Sequence, residues 1–296
     1  MKKIKLEGAI TAIITPFKKN GAFDHLAMKR LVKFQVEEGI HGIVVCGSTG
    51  EAATLNDKEY AKVVKLVVDE VNKRVPVIAG AGSNDTQKAI NFSKIAKKAG
   101  ADVLLHVTPF YNKPTPNGVV AHFKAIAKAV DLPILLYNVP GRTGSNVMPA
   151  TILRVAKEVP QVIGVKEASG SVNQMGEIIK DAPDGFAVLC GDDSITLPMM
   201  ALGGKGCISV VSNEVPGDFS ALCQTALDGN FTEAKRLHFK LLDLMNVNFI
   251  ESNPIPVKTA LSLMGMIEES FRLPLTPMED KNRPAIEKVL KELKLI

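Results

Sequence analysis

Apolar runs rich in β-branched residues alternate with amphipathic segments along most of the chain. The apolar runs end near eight positions: Ile14, Val45, Ala79, Val107, Tyr137, Lys166, Cys190 and Ser209. Strands that alternate with helices at intervals of roughly 30 residues predict parallel βα units. Eight such units close into a barrel, so the pattern predicts an α/β fold of the (β/α)8 TIM-barrel type.

The segments between the apolar runs have apolar residues at helical spacing and polar residues at their starts. The clearest helices are predicted at residues 24–38, 56–72, 85–99, 117–130 and 148–158. Side chains suited to capping begin four of them: Asp24, Asn56, Asp85 and Asn117. The alternative, a doubly wound open sheet, is less favoured because Ile14-Thr15-Pro16-Phe17 follows the first strand in place of a glycine-rich dinucleotide motif.

The strand rhythm stops near residue 230. Three helix-like stretches follow, separated by Pro254, Pro256, Pro274 and Pro277. The last stretch has Ile286, Val289, Leu290 and Leu293 on one face, which is typical of an amphipathic helix. We therefore expect a barrel domain at residues 1–229 and a C-terminal helical domain at residues 230–296.

Composition and charge exclude several classes of protein. The formal charge is +5, but basic and acidic residues are interleaved and there is no tryptophan, so we expect no nucleic-acid partner. The four cysteines, Cys46, Cys190, Cys207 and Cys223, have no CxxC spacing and lie in apolar runs. This usage predicts free thiols in a reducing compartment and hence a cytoplasmic protein. No signal peptide or membrane span is expected.

Lys166 ends the sixth apolar run and is followed by the turn residues Ala168-Ser169-Gly170. A lysine at the tip of a buried strand is partly desolvated, and desolvation disfavours its ammonium form. A neutral amine is a nucleophile toward carbonyl carbon. Most lysines at strand ends are simply solvated and have no catalytic role. Whether Lys166 is solvated or nucleophilic therefore has to be judged from the residues at the other strand ends.

The loops after the other strands add chemistry on the same predicted face. Ser48 and Thr49 lie between two glycines, Tyr111 lies on a loop with three prolines, and Tyr137 ends the fifth strand. A tyrosine beside a lysine can relay protons, and Arg142 on a glycine-rich loop can bind a carboxylate through two hydrogen bonds. Each feature also has a purely structural explanation. Ser48 and Thr49 could belong to an ordinary tight turn, the tyrosines could close the barrel mouth as packed aromatic residues, and Arg142 could form a surface salt bridge.

We expect no metal and no other cofactor. Asp192 and Asp193 follow strand seven, but one of them is better suited to cap the next helix, and hard cations usually need more oxygen ligands. The five histidines are scattered along the chain. A metal-free mechanism that uses a lysine amine is the simplest interpretation.

Five stretches, in order and with matching spacing, resemble the dihydrodipicolinate synthase family of pyruvate-dependent class I aldolases. They are Gly47-Ser48-Thr49-Gly50-Glu51, Tyr111-Asn112-Lys113-Pro114, Tyr137-Asn138-Val139-Pro140-Gly141-Arg142-Thr143-Gly144, Gly164-Val165-Lys166-Glu167-Ala168 and Asn253-Pro254-Ile255-Pro256-Val257-Lys258. The resemblance extends from Gly8 to about Met266.

The resemblance implies a reaction and a set of catalytic residues. Lys166 would form a Schiff base with pyruvate, and the resulting enamine would attack the aldehyde of aspartate 4-semialdehyde before cyclisation, in the diaminopimelate route to lysine. Tyr137, Ser48 and Tyr111 would form a proton relay, with Tyr111 reaching the site of a neighbouring subunit. The family is commonly a homotetramer built as a dimer of dimers.

The resemblance also implies residues that bind substrate. Thr49, the carbonyl of Ile208 and Gly191 would hold pyruvate, and Arg142 would bind the carboxylate of the semialdehyde. Ser48 departs from the family, which usually has threonine there, and is closer to the N-acetylneuraminate lyases. Aldolases that act on sugar acids, including the 2-keto-3-deoxygluconate type, are therefore the alternative, although the Arg142 motif favours the synthase.

A second departure concerns regulation. Many family members bind lysine between subunits and meet its ammonium with an acidic side chain, but that position is Lys88 in this chain. The neighbouring positions of the same pocket are Asp57 and Tyr60, and the position that usually has tyrosine in the family has Phe110 in this chain. Like charge toward a ligand opposes binding, so we expect weak or no inhibition by lysine.

Overall fold

Eight parallel strands close into a barrel in which each strand pairs with its neighbours in sequence and β8 pairs with β1. The structure, a computed structural model, describes residues 4–296. The strands are β1 (Gly8–Ala12), β2 (Gly42–Val45), β3 (Val77–Gly80), β4 (Val103–Val107), β5 (Ile134–Asn138), β6 (Val162–Glu167), β7 (Ala187–Cys190) and β8 (Gly206–Ser209). The predicted TIM barrel is thus confirmed. Every predicted strand end lies within one residue of the observed end, except the first, which lies two residues away.

Helices surround the barrel and continue after its last strand. They are α1 (His25–Glu37), α2 (Asp57–Val71), α3 (Thr86–Ala99), α4 (Pro116–Ala129), α5 (Pro140–Thr143), α6 (Pro149–Glu158), α7 (Val172–Asp181), α8 (Thr196–Ala201), α9 (Pro216–Leu227), α10 (Phe231–Val247), α11 (Ile255–Leu263) and α12 (Arg283–Glu292). Within residues 4–296, no helix is long and apolar enough to cross a membrane.

Three predicted helix caps are confirmed and one is wrong. The confirmed caps are Asp24, Asn56 and Asp85, whose side chains accept backbone N–H hydrogen bonds. The predicted cap Asn117 lies inside α4. Thr115 caps this helix by accepting from the N–H of Gly118, and Pro116 occupies the first turn. Proline suits this place because the first N–H groups of a helix have no partner within the helix.

The side chains of each strand alternate between two apolar layers, as the pleat of a strand requires. On β5, Leu135 and Tyr137 belong to the cluster inside the barrel, whereas Ile134 and Leu136 belong to the layer between barrel and helices. The same alternation holds for Val165, which lies in the outer layer beside Lys166. Tyr137 and Lys166 therefore share the inner face of neighbouring strands.

Helices α10 to α12 extend the outer layer. Leu241 and Leu244 of α10 and Ile286 and Leu290 of α12 are fully buried in one apolar cluster with the barrel helices. We propose that residues 230–296 form a C-terminal helical domain, with its boundary after α9.

A fully buried ion pair joins the barrel to α11. Lys258 donates to the carboxylate of Glu51, which lies in the loop after β2, and to the carbonyl of Ser270. The two side chains are 0% and 1% exposed. Burial lowers the pKa of Lys258, and the facing Glu51 carboxylate opposes this shift. The pair fixes the β2 loop against α11.

Replacing one partner of this pair is expected to be costly. We expect Lys258→Met to lower the free energy of unfolding by about 3–5 kcal/mol, because Glu51 would remain buried without its ion-pair partner. The double variant Glu51→Gln/Lys258→Met should lose less than the single variant. Lys65→Met, which breaks an exposed pair with Asp69, is the control and should change stability by about 1 kcal/mol or less. Urea denaturation followed by circular dichroism at fixed protein concentration measures the free energy of unfolding of all three variants. Equal losses in the single and double variants would contradict the role of the uncompensated charge.

Candidate active site

A cavity of about 140 Å³ opens at the carboxyl ends of the strands, the face on which TIM barrels carry chemistry. Six of the eight predicted site residues line it: Ser48, Thr49, Tyr137, Arg142, Lys166 and Gly191. They come from the ends of β5 and β6 and from the loops after β2, β5 and β7. The structure therefore brings together residues from four separate segments of the chain.

Lys166 and Tyr137 form the centre of this cavity. They are register partners on β6 and β5, so their inward side chains lie next to each other. The Lys166 ammonium nitrogen lies 4.4 Å from the centroid of the Tyr137 ring. Both residues are largely buried, with 7% and 6% of their surface exposed. A shielded amine beside a phenol can exchange protons with it or with a bound substrate.

The loop after β2 carries Ser48 and Thr49 in a tight turn. The N–H of Gly50 donates to the carbonyl of Gly47, and the Thr15 hydroxyl donates to the carbonyl of Gly50. Gly80 on β3 makes room for this turn, because a Cβ there would lie 2.1 Å from the Cys46 carbonyl oxygen. Close packing of this loop against β3 thus requires glycine at one specific strand position.

Ser48 is exposed to the cavity mouth, whereas Thr49 is buried. The side-chain amide of Asn253 donates to the Thr49 hydroxyl oxygen at 2.9 Å. Within residues 4–296, no hydrogen bond joins Ser48 directly to Tyr137, although both line the cavity. The proposed relay geometry would therefore form with substrate or water between them.

Arg142 lies on the short helix α5, directly after β5. Its guanidinium donates to the carbonyl of Asn253 at 3.1 Å, which leaves the other N–H groups for a ligand. Asn253 thus contacts both Thr49 and Arg142, yet sequence reasoning included it only in a motif and gave it no role. The signal was present in the Asn253-Pro254-Ile255-Pro256 stretch, but its partners are distant in sequence.

Gly191 makes space for the Lys166 side chain. A Cβ at this position would lie 3.0 Å from Cε of Lys166 and 2.6 Å from Cβ of Ala168. Any larger residue would push the lysine away from its present position. Gly191 therefore contributes free space beside Lys166, while Asp192, the next residue of the loop after β7, also lines the cavity.

Tyr111 and Ile208 do not line the cavity. Tyr111 is 89% exposed and has a left-handed backbone with φ of 66°. Ile208 is fully buried in the cluster inside the barrel, and Val210, two residues further along, lines the cavity instead. In the single chain, the side chains of Tyr111 and Ile208 therefore lie outside the cavity.

A second cavity of about 320 Å³ shares Ser48 and Tyr137 with the first. Tyr60, Phe92 and Phe110 line its far side. The Tyr60 hydroxyl is buried and has no hydrogen-bond partner within residues 4–296. Burial raises the pKa of Tyr60 well above its usual value, and the nearby Cys46 thiol adds to this effect. Tyr60 therefore remains a neutral phenol.

The aspartates after β7 have structural partners. Asp192 caps the following turn by accepting from the N–H of Ser194. Asp193 is buried and accepts from the N–H groups of Val210 and Val211; burial raises its pKa and these hydrogen bonds oppose the rise. Across residues 4–296, no group of three or more histidines, cysteines, aspartates and glutamates is arranged to hold a metal ion.

Comparison with known proteins gives closely similar relatives over almost the whole chain. A 4-hydroxy-tetrahydrodipicolinate synthase from Maridesulfovibrio salexigens is 52% identical over 98% of this chain and 99% of its own. The structure of dihydrodipicolinate synthase from Acinetobacter baumannii complexed with pyruvate matches with a TM-score of 0.97 and 44% identity, covering 99% of this chain and 100% of that one. The enzyme from Cyanidioschyzon merolae with lysine bound matches with a TM-score of 0.95 and 39% identity, covering 98% and 99%.

Fold and site together define a TIM-barrel enzyme with a shielded lysine amine at the end of its sixth strand. Within that class, the chain belongs to the dihydrodipicolinate synthetase family, whose model matches residues 5–293.

Proposed function

We propose that this enzyme condenses pyruvate with L-aspartate 4-semialdehyde to give 4-hydroxy-tetrahydrodipicolinate, the first committed step of the diaminopimelate route to lysine. The observation that carries the proposal is the largely buried Lys166 amine, 4.4 Å from the Tyr137 ring, in a cavity that also contains Arg142. The family match and the names of the relatives support the same reaction. These relatives do not favour the sugar-acid alternative that Ser48 had left open.

The chemistry follows from the amine. The Lys166 nitrogen adds to C2 of pyruvate, water leaves, and a Schiff base remains. Loss of a proton from C3 gives an enamine, whose carbon attacks the aldehyde of the semialdehyde and forms the new carbon–carbon bond. The amine of the semialdehyde then attacks C2, displaces Lys166 and closes the ring.

Each proton transfer in this sequence needs a donor or an acceptor near the reacting atoms. Tyr137 is placed for this role because its inward side chain is adjacent to Lys166. We assign Ser48, which lines both cavities, as its relay partner. Serine keeps the hydroxyl of the family's threonine and loses one methyl group.

Tyr111 is the third member of the proposed relay and would act in the site of a neighbouring subunit. Its high exposure in the single chain fits a residue that completes its surroundings only on association. The proposal thus includes a homotetramer built as a dimer of dimers, in which the tyrosine of one subunit reaches the cavity of the next.

The remaining residues bind substrate in this proposal. Thr49, held by Asn253, and the carbonyl of Ile208 would hold pyruvate, and Gly191 leaves space for it beside Lys166. Arg142 would bind the carboxylate of the semialdehyde, because its guanidinium is fixed on one side by the carbonyl of Asn253. No nucleic acid or membrane has a role.

The Schiff base provides the direct test of this function. Borohydride added with pyruvate should attach a mass increment to Lys166, located by peptide mass spectrometry, and the enzyme should turn over aspartate 4-semialdehyde. Lys166→Arg keeps the positive charge but lacks a nucleophilic amine, so it should form no adduct. The proposal fails if the natural enzyme forms no adduct, or if N-acetylneuraminate or 2-keto-3-deoxygluconate is turned over faster than the semialdehyde reacts.

The role of Arg142 makes a separate prediction. Arg142→Ala should lower kcat/KM for aspartate 4-semialdehyde by about 100-fold, since a bidentate charge-assisted contact is lost. Pyruvate adduct formation should change by about threefold or less. Arg154→Ala on α6, which removes an exposed arginine paired with Glu158, is the matched control. Loss of the pyruvate adduct in Arg142→Ala would show that this residue serves the first substrate and not the second.

Regulation by lysine is proposed to be weak. No aspartate or glutamate is among the residues that line the second cavity, next to Phe110 and Tyr60. Lys88 is exposed in the first turn of α3, and Asp57 is exposed at the start of α2, where its carboxylate accepts from Asn91. A diamino acid in this cavity would therefore find no carboxylate for its ammonium among the lining residues, and Lys88 on α3 would oppose its charge.

Dose-response curves with lysine test this proposal. The natural enzyme should keep most of its activity at about 1 mM lysine, a concentration that corresponds to only about 4 kcal/mol of binding free energy. Lys88→Glu should increase sensitivity, because it removes the repulsion and supplies an opposite charge. Lys97→Glu, near the other end of the same helix, is the charge-matched control and should not. Half-inhibition of the natural enzyme at submillimolar lysine would refute the proposal.

A further inference from the structure

Directly behind the Lys166–Tyr137 pair lies a second pair of register partners, Glu167 on β6 and Asn138 on β5. Side chains alternate along a strand, so these two point out of the barrel while the lysine and the tyrosine point in. Both outward-facing residues are completely buried, at 0% exposure. The reaction described above gives neither of them a role.

Glu167 is a buried carboxylate held by neutral donors. It accepts from the side-chain amide of Asn138 at 3.0 and 3.2 Å and from the N–H of Ser169 at 2.8 Å. No lysine, arginine or histidine in the described part of the chain forms a salt bridge with it. Burial raises the pKa of Glu167, and its hydrogen bonds, first those from Ser169 and Asn138, oppose that rise. Its environment thus requires an acceptor at both oxygens.

The orientation of the Asn138 amide is determined by the backbone. Its oxygen accepts from the N–H of Val147 at 3.0 Å, so its nitrogen must face Glu167. The same nitrogen donates to the side-chain oxygen of Asn146 at 2.8 Å, and Asn146 in turn pairs with Gln174 of α7. Asn138 therefore ties the end of β5 both to β6 and to the segment that returns from the Arg142 loop.

The backbone ladder between β5 and β6 is not regular along its whole length. The register shifts between Ile134 and Leu135, opposite Val162 and Gly164. Such a bulge bends a strand and disrupts the ladder locally. The regular ladder then continues for only four residue pairs, the last of which is Asn138 with Glu167. The side-chain contact at that last pair therefore lies directly beside Lys166 and Tyr137.

We propose that Glu167 and Asn138 are positioning residues for the reaction: their buried carboxylate–amide contact sets the place of the Lys166 amine relative to Tyr137. This inference rests on the proposed function, which it deepens. It predicts that the complementarity of donor and acceptor, and not the identity of either residue, is what the reaction needs.

An exchange of the two groups tests the inference. Glu167→Gln keeps the shape but places an N–H₂ group against either Asn138 or the N–H of Ser169, and Asn138→Asp places two carboxylates against each other. In the double variant Glu167→Gln/Asn138→Asp, the carboxylate introduced on β5 can accept from the N–H of Val147 and from the amide introduced on β6. The oxygen of that amide still accepts from the N–H of Ser169. Asn146 and Gln174 can rotate their amides together and keep their mutual pairing.

We expect each single variant to lower kcat by about 10- to 100-fold, because small displacements of reacting groups are costly. The KM for pyruvate should stay within about threefold, since Thr49 and Ile208 belong to other strands and loops. The double variant should recover kcat to within about fivefold of the natural enzyme, a strong non-additive effect. Steady-state kinetics and thermal unfolding of the full-length enzyme measure these quantities.

Val162→Ala, on β6 but away from the pair, is the control for a purely structural role: it should lower Tm while leaving kcat within about twofold.

Single variants that keep kcat within about threefold would overturn the inference, and so would a folded double variant no faster than the slower single one. If a single variant fails to fold, the double variant decides alone: kcat within about fivefold of the natural enzyme supports the inference, and a larger loss overturns it. Pyruvate trapping in the natural enzyme distinguishes a failure of the proposed function from a failure of the positioning inference. An absent adduct refutes the proposed function. An adduct together with single variants of unchanged kcat refutes only the positioning role.

Discussion

Closure of the barrel is the constraint on which the rest of this structure depends. All eight pairings are parallel, so all eight strands point the same way. Because β8 pairs with β1, the carboxyl ends of the strands form one ring. The strict alternation of side chains then decides which residues meet. Lys166 and Tyr137 share the inner face at one level of the ring, and the next residue on each strand faces outward. A one-residue slip would replace Lys166 and Tyr137 on the inner face by the two residues that now face outward.

The segment after the barrel also positions residues of the cavity. Asn253 donates to Thr49 and accepts from Arg142, so a residue just before α11 orders two walls of the cavity. The buried Glu51–Lys258 pair makes the same connection between the β2 loop and α11 a second time. A buried ion pair is weak evidence for stability in itself; here it joins the loop of Ser48 and Thr49 directly to α11.

Much of this organisation could be predicted from the sequence. The strand ends followed from apolar runs of regular spacing, and Ser48, Tyr137, Arg142 and Lys166 were singled out from those ends, whereas Ile208 and Gly191 followed only from the resemblance to the family. What sequence reasoning missed depends on contacts between distant segments: Asn253 and Thr49 are 204 residues apart. The cap of α4 was misassigned for a local reason, since Thr115 and Pro116 together begin a helix better than Asn117 does. The Glu167–Asn138 contact was also missed, because both residues follow more conspicuous ones.

The loop of Tyr111 holds this residue away from the cavity of its own chain. Tyr111 and Lys113 both adopt left-handed backbone conformations, which are unfavourable for residues with a side chain. Asn112 between them donates to the carbonyl of Asn84, and two prolines, Pro109 and Pro114, limit the freedom of the loop. The chain thus holds a large aromatic residue in a defined and exposed position, with 89% of its surface open to solvent. Backbone strain of this kind clusters at functional sites, and in the homotetramer proposed above this exposed tyrosine would supply its hydroxyl to the cavity of a neighbouring subunit.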